Sequence, residues 1–311
     1  MNKLSIAGFT NLGFQYHSLA YTEHLPSMEG KTVLITGASG GLGLAAAKRL
    51  SSLGARLIIV GRSESRLGKA LASLSPDSKA LPADLSLLSE VNRLADQLIS
   101  KEEQIDVLVN NVGVLLPERE VTTEGLERTL ATNLAGQFAL TNRLGPLLIS
   151  SAPSRIVNVS SGGMYAQKIE PEHLQFERGD YRGTMAYART KRGQVILTEM
   201  WAERLRGTGV VVHAMHPGWA RTAGVRRSLP TFNKLMAPLL RSPEQGADTI
   251  VWLAASDEAA GTSGGFWFDR REVPTHLSPA TQETRREREQ LWQSLVALTS
   301  TDLNVAAFSS P

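Results

Sequence analysis

Seven short runs of apolar, mostly β-branched residues alternate along this chain with longer amphipathic stretches, and that alternation restricts the fold more than any other feature. The runs are TVLIT (32–36), RLIIV (56–60), KALPA (79–83), IDVLVN (105–110), RIVNVS (155–160), GVVVHAM (209–215) and GGFWF (264–268). Most are apolar on both faces, as strands are when helices cover a sheet on each side. Helical periodicity fills the intervals, over 42–53, 64–74, 86–100, 123–150, 186–206 and 243–256. Right-handed crossovers then predict an α/β fold, a doubly wound parallel sheet of about seven strands flanked by helices. No repeat or Pro/Gly linker cuts the chain, so 30–270 reads as one domain. An arm (1–29) precedes it and an extension (271–311) follows, where ETRREREQLWQSLVAL (283–298) reads as a surface helix with a solvated, mixed-charge face.

Composition removes several classes of function. With 33 Lys and Arg against 30 Asp and Glu, net charge is +3 and the signs are mixed; no basic stripe interleaved with aromatics offers a groove to nucleic acid. There is no Cys, which excludes disulfides, thiolate catalysis and Cys-ligated metals. No window approaches the roughly 20 apolar residues of a membrane span. Polar residues interrupt 1–29 too often for a signal peptide, so a cytoplasmic protein is expected. The arm's Phe9, Phe14, Tyr16 and Tyr21 are read as packing on the domain in preference to touching a membrane.

VLITGASGGLG (33–43) sets Gly37, Gly40, Gly41 and Gly43 between the first strand and a helix starting near Leu42. Such a turn lets backbone approach a pyrophosphate and aims free helix N–H groups at it, so a dinucleotide is expected here. At the end of the second strand, where an acid would hold a ribose 2′-hydroxyl, stand Gly61 and Arg62. A guanidinium fits a phosphate fork, which favours NADP(H) over NAD(H), with Ser63 and Arg66 assisting and Glu64 starting the next helix. Asp84, after the third strand, suits either an adenine contact or a helix cap.

A dinucleotide in such a sheet lies across the carboxyl ends of the strands, where LVNNVG (108–113), NVSSGG (158–163) and MHPGWART (215–222) follow the fourth, fifth and sixth. Asn133 lies inside a helical pattern, an odd place for a poor helix former. Together Thr36-Gly37-x-x-x-Gly41-x-Gly43, Asn110-Asn111-x-Gly113, Asn133, Ser161, Tyr187-x-x-x-Lys191 and Pro217-Gly218 resemble the short-chain dehydrogenase/reductase family over roughly 30–270. The segments at 159–168, 184–199, 215–226 and 269–276 more narrowly resemble its member-12-like branch. The resemblance implies a catalytic set of Asn133, Ser161, Tyr187 and Lys191, with Tyr187 as general acid and base. Lys191 lowers the phenol's pKa and holds the nicotinamide ribose, Ser161 orients the substrate oxygen, and Asn133 holds a relay water. It further implies cofactor contacts at Gly37, Ser39, Gly40, Gly41, Leu42, Gly43, Arg62, Asp84, Leu85, Asn111, Gly113, Tyr187, Lys191, Pro217, Gly218 and Thr222.

Ser160 rivals Ser161, which is preferred as the second of the pair. Arg189, off the face shared by Tyr187 and Lys191, is expected to be exposed. The spacing from Ser161 to Tyr187 is about twice that usual in the family, and the excess falls in 166–184, either a lid beside the substrate or inert decoration. A flap over 219–240 carries Trp219, Phe232, Leu235 and Met236, which either line an apolar substrate pocket or pack the flap on the core. His213 and His216 are read as structural, with no metal site. The expected function is an NADP(H)-dependent oxidoreductase interconverting a small lipophilic carbonyl and alcohol by metal-free hydride transfer. A non-catalytic dinucleotide-binding sensor or scaffold is the alternative, and a lyase or isomerase using the same tyrosine stays open. Helices 123–150 and 186–206 resemble those through which relatives pair, but the insertion and the C-terminal tail are placed to block that surface, which leaves a homo-oligomer open.

Overall fold

A computed structural model describes residues 6–21, 24–221 and 230–303. Eight strands form a single sheet in the order β3-β2-β1-β4-β5-β6-β7-β8: β1 Thr32–Thr36, β2 Arg56–Gly61, β3 Lys79–Pro82, β4 Val107–Asn110, β5 Ser154–Val159, β6 Val210–Met215, β7 Phe266–Phe268 and β8 Arg271–Glu272. The first seven are parallel, in register Ile35↔Ile59 and Ile35↔Val109 at the centre. The eighth, unexpected from sequence, is a two-residue antiparallel return of β7 through Asp269 and Arg270, both in the left-handed region (φ 49° and 55°).

The helices are α1 Asn11–Ser18, α2 Gly41–Ser52, α3 Glu64–Leu71, α4 Leu88–Lys101, α5 over 128–150, α6 Gly183–Arg204, α7 Pro230–Met236, α8 Pro243–Ala255, α9 Asp257–Ala260 and α10 Arg285–Thr299. Successive residues of a buried strand face opposite layers. Val33 and Ile35 accordingly pack beneath α2 and α8, whereas Leu34, Leu108 and Ile156 pack beneath α4, α5 and α6. Strand order runs outward in opposite directions from β1 and from β4, and at such a switch point sheets of this kind form a crevice at their carboxyl edge.

Two helices depart from their sequence reading. The start of α5 is delayed to Arg128 because 122–126 closes into a turn, after which the buried Glu127 carboxylate accepts from the N–H groups of Thr129 and Leu130 (2.9 and 2.6 Å). One turn of α5, Ala131–Ala135, is π-helical. The α10 helix does expose Arg285 and Arg286, but its other face is core: Leu291, Trp292 and Leu295 are buried. Trp292 meets Phe138 of α5 edge-on at 4.9 Å and Trp201 of α6 at 6.2 Å, so α10 covers part of the surface of both helices. The N-terminal arm is likewise docked on the domain, through Phe9 against Phe268 (5.4 Å) and His17 against Asp269 (2.6 Å). Among the described residues no helix is long and apolar enough to cross a membrane.

Candidate active site

The glycine turn is held from beneath by a neighbouring strand end. Thr36 Oγ1 accepts from the N–H groups of Asn111 and Val112 (3.0 and 3.1 Å), and the Asn111 amide donates to the Thr36 carbonyl (2.8 Å). Gly37 has φ +68°, and a Cβ on Gly43 would lie 2.6 Å from both Asn111 Nδ2 and the Gly37 carbonyl. Asn111 is therefore a brace for the turn, through which any ligand contact of its side chain would have to compete. Gly40 differs: its backbone is extended, no side chain caps α2, and a Cβ there meets nothing within 4 Å. The open space lies where free helix N–H groups and the positive end of the dipole favour a phosphate, so these residues fit a dinucleotide. Ser39 lies beside Gly61, and Leu42 packs towards α8 at Gly246.

At the neighbouring strand ends Arg62 is exposed (side chain 56%) and 3.9 Å from Asp84, a long, half-solvated ion pair. Asp84 accepts from the N–H and hydroxyl of Ser86 (3.0 and 2.8 Å), fixing the turn before α4, whose own N-cap is Leu87. Leu85 is buried in the core beneath α5, so its side chain serves packing. Ser63 caps α3 by accepting from the Arg66 N–H, and Glu64 opens that helix as expected.

The four residues expected to carry chemistry come from three elements. The Tyr187 hydroxyl, on α6, faces Ser161 at the end of β5, whose hydroxyl draws the phenol's pKa down. Lys191, one turn along α6, places Nζ 5.5 Å from the centre of the Tyr187 ring and donates to the Val159 carbonyl (2.9 Å). A Cβ on Gly113 would sit 3.2 Å from that ammonium. Asn133 lies within the π turn of α5; its amide accepts from Val114 N–H (2.7 Å) and donates to Val114 carbonyl (2.9 Å) and Thr190 hydroxyl (3.1 Å). π turns recur at functional sites because they expose groups a regular helix hides. The two neighbouring serines differ: Ser160 is buried and donates to the Lys191 carbonyl (2.8 Å), whereas Ser161 accepts from the Gly163 N–H (3.2 Å).

Burial dominates the electrostatics of the pair. It pushes the Tyr187 phenol up, against the lowering influence of the Ser161 hydroxyl, and pulls Lys191 from 10.5 down to about 7. The expected lowering of the phenol by its neighbour is thus outweighed by desolvation.

The family model for short chain dehydrogenases matches residues 31–231, about two thirds of the chain and most of the elements just described. This chain belongs to the short-chain dehydrogenase family. Dehydrogenase/reductase SDR family member 12 of Bos taurus is 39% identical over 276 residues, 86% of either chain, which supports the member-12-like branch. Retinol dehydrogenase 14 of Mus musculus is 38% identical over 266 residues, 79% of either chain. A crystal structure from Mycobacterium paratuberculosis, of a protein described as uncharacterised, superposes with a TM-score of 0.72 at 28% identity, over 90% of this chain and 97% of that one. The short-chain dehydrogenases are oxidoreductases that bind NAD(P)(H), and the parallel sheet with its glycine turn is their fold.

Other expectations need amending in this short-chain dehydrogenase. Arg189 is not free on the surface: it ion-pairs with Glu170 and lies over the Phe176 ring (4.9 Å), both within the 166–184 insertion. That insertion is seated rather than loose, since Tyr181 hydrogen-bonds Glu127 (3.0 Å) and the Gln175 carbonyl accepts from Arg119 (3.0 Å). His213 accepts from Trp267 (3.0 Å) and pairs with the Ala259 carbonyl (3.0 Å); His216 stacks on Phe268 (4.0 Å) and burial drives its pKa down to about 3. Pro217 and Gly218 follow it, the latter at φ +69° against Arg241. Trp219 and Met236 are half-buried and Leu235 is exposed, whereas Thr222 and the side chain of Phe232 lie outside the described residues.

Two buried cations carry no signal in the sequence. Arg192, beside Lys191, donates to the carbonyls of Met164, Gln167 and Thr275, and so ties the turn after Ser161 to α6. Arg241 and Asp269 form a bidentate pair (2.5 and 2.8 Å), each side chain 1% exposed. A lone Arg after a flap gives no local hint of such a partner.

Proposed function

We propose that this chain interconverts a small lipophilic carbonyl and its alcohol using NADP(H), with Tyr187 as general acid and base and no metal ion called on. The observation that carries this reading is Tyr187 facing Ser161 with the Lys191 ammonium one turn away, 5.5 Å from the centre of its ring. A nicotinamide dinucleotide, when bound, supplies or takes up the hydride. Gly37, Ser39, Gly40, Gly41, Leu42 and Gly43 would hold its pyrophosphate, Arg62 a 2′-phosphate, and Gly113, Lys191, Pro217 and Gly218 its nicotinamide end.

In the reducing direction Tyr187 gives its proton to the carbonyl oxygen as charge develops there, and in the other direction it takes that proton back. Ser161 is a second donor to the same oxygen, fixing its distance from the phenol. Protonated Lys191 stabilises the phenolate left behind. Asn133 anchors Val114, beside Gly113, and so supports the floor under Lys191. Preference for the 2′-phosphate is supported by exposed Arg62 directly after Gly61 at the end of β2, the place where an acid would bind a 2′-hydroxyl. A lipophilic substrate is supported by the half-buried Trp219 in the turn after β6 and by relatives named retinol dehydrogenase.

The test is oxidation of NADPH and NADH by the purified protein with a panel of aldehydes, ketones and quinones, alongside Tyr187→Phe. NADPH-dependent turnover abolished in the variant is expected. Equal turnover in the two proteins rules out the tyrosine, and conversion of a carbonyl without cofactor consumption points to a lyase or isomerase.

A further inference from the structure

The arm lies outside the stretch 31–231 that matches the family, yet it packs against the turns that follow β5 and β6. Residues Ile6–Phe9 form a 3-10 turn and Asn11–Ser18 form α1, folded into a tight corner in which a Cβ on Gly13 would lie 2.3 Å from the Gly8 carbonyl. At that corner three carbonyls converge on one guanidinium. Arg241 donates from Nη2 to Gly8 (2.7 Å) and from Nε to Phe9 and Thr10 (3.1 and 3.2 Å). Its other donors go to Asp269, which His17 of the same arm also contacts.

The latch fixes a second segment at the same time. The Trp219 N–H donates to the Phe9 carbonyl (2.8 Å), the Arg241 N–H to the Trp219 carbonyl (2.8 Å), and the Arg221 N–H to the Arg241 carbonyl (2.8 Å). The turn after β6 is thereby held between the arm and Arg241. The half-buried Phe9 ring contacts His216 (5.2 Å) and Trp219 (5.9 Å), and its Cζ lies 3.7 Å from where a Cβ on Gly162 would be. Gly162 directly follows Ser161, so one aromatic ring bridges the turn bearing the substrate-orienting serine and the turn that bounds the cleft opposite.

We propose that Phe9 is a specificity-determining residue of the substrate site, forming an apolar wall between Gly162 and Trp219, with the arm acting as the mount that holds it. The assignment rests on the reading of Ser161 and Tyr187 as the reaction centre. An apolar group attached to the carbonyl packs against this wall, and the width left by the ring decides how bulky that group can be. The main-chain carbonyl of Phe9 does the latching, so a change of its side chain alters the wall while leaving the latch to Arg241 in place.

Phe9→Ala and Phe9→Trp test this directly, with kcat and KM measured for a short linear aldehyde and for a bulky branched or ring-bearing one, and NADPH affinity followed by fluorescence. The ratio of kcat/KM for bulky over short substrate is expected to rise about tenfold in Phe9→Ala and to fall about tenfold in Phe9→Trp, the scale on which a pocket wall discriminates. NADPH affinity is expected to stay within about twofold of native. A merely structural ring predicts that both substrates change by one common factor, and that result overturns the proposal. Phe9→Leu, which keeps an apolar side chain, restores an intermediate ratio if the wall is real; a ratio unchanged across all three variants also overturns it. A native protein that reduces no carbonyl defeats the reading of the reaction instead. The wall is then tested by calorimetric titration with the same aldehydes: binding constants moved oppositely by the two variants support it, and unmoved ones overturn it.

Discussion

The two sides of the cleft are built differently. On the cofactor side the glycine turn is braced by Thr36 and Asn111, residues at the ends of adjacent parallel strands, so a few hydrogen bonds within one layer of sheet suffice. On the substrate side the turn after β6 hangs on the buried Arg241–Asp269 pair, which takes in arm residues more than 200 positions away, Gly8 at 233 from Arg241 and His17 at 252 from Asp269. The first is a local device that any chain with this fold can carry. The second depends on the arm and on the positive-φ return between β7 and β8, and can vary without disturbing the sheet. Chemistry common to a family and selectivity peculiar to one member can thus be stored in separate parts of the chain.

The largest expected effect probes where the two sides meet. Tyr187→Phe is expected to lower kcat by about 10²–10⁴-fold, the usual contribution of a general acid, while NADPH still binds; retention of both turnover and binding would remove the tyrosine from the reaction. Next comes the latch. Asp269→Ala strands the Arg241 guanidinium in the interior and is expected to cost about 3–5 kcal/mol by urea unfolding, whereas a loss under about 1 kcal/mol would mean the network is not holding the arm.

On the cofactor side Gly40→Ala and Gly43→Ala should separate room from support. Gly43→Ala forces a Cβ into the Asn111 amide and the Gly37 carbonyl, and is expected to destabilise by about 1–3 kcal/mol. In Gly40→Ala the extended backbone tolerates the methyl and stability holds, but the filled space is expected to weaken NADPH about tenfold. Arg62→Ala is expected to cost NADPH about tenfold or more and leave NADH nearly unchanged, since a charged hydrogen bond contributes about 1.5–3 kcal/mol; parallel losses would detach Arg62 from the 2′-phosphate.

The last effect is electrostatic. With Lys191 lowered to about 7 in the fold and near 10.5 unfolded, the unfolded chain binds more protons between those values, so this group makes stability rise as pH increases from 7 to 10.5. Urea midpoints at pH 7 and pH 9 are expected to show a shallower rise in Lys191→Met than in the native protein.

Legibility in the sequence divides along the same line. The sheet, the glycine turn and the spacing of Tyr187 and Lys191 are properties of short windows, and each lies where the pattern puts it. Asn133 stands out as a poor helix former in mid-helix, but nothing in the pattern announces the π turn that accommodates it. The exposure expected of Arg189 fails because helical geometry says which residues share a face but not that Glu170 and Phe176 fold back over the other one. In α10 a conspicuous charge run masks Leu291, Trp292 and Leu295, the stripe that docks it. Arg241 and Asp269 have no signature, since only the folded chain brings them together.

The π turn in α5 has a consequence for register. An α-helix advances about 100° per residue, so the wider turn at Ala131–Ala135 sets the residues before it out of phase with those after it. Asn133 can then aim at Val114 while Phe138 and Leu140, further along, stay in the core. Shortening that turn by one residue would force a choice between the two orientations, and a single helix could no longer serve both the cleft and the interior.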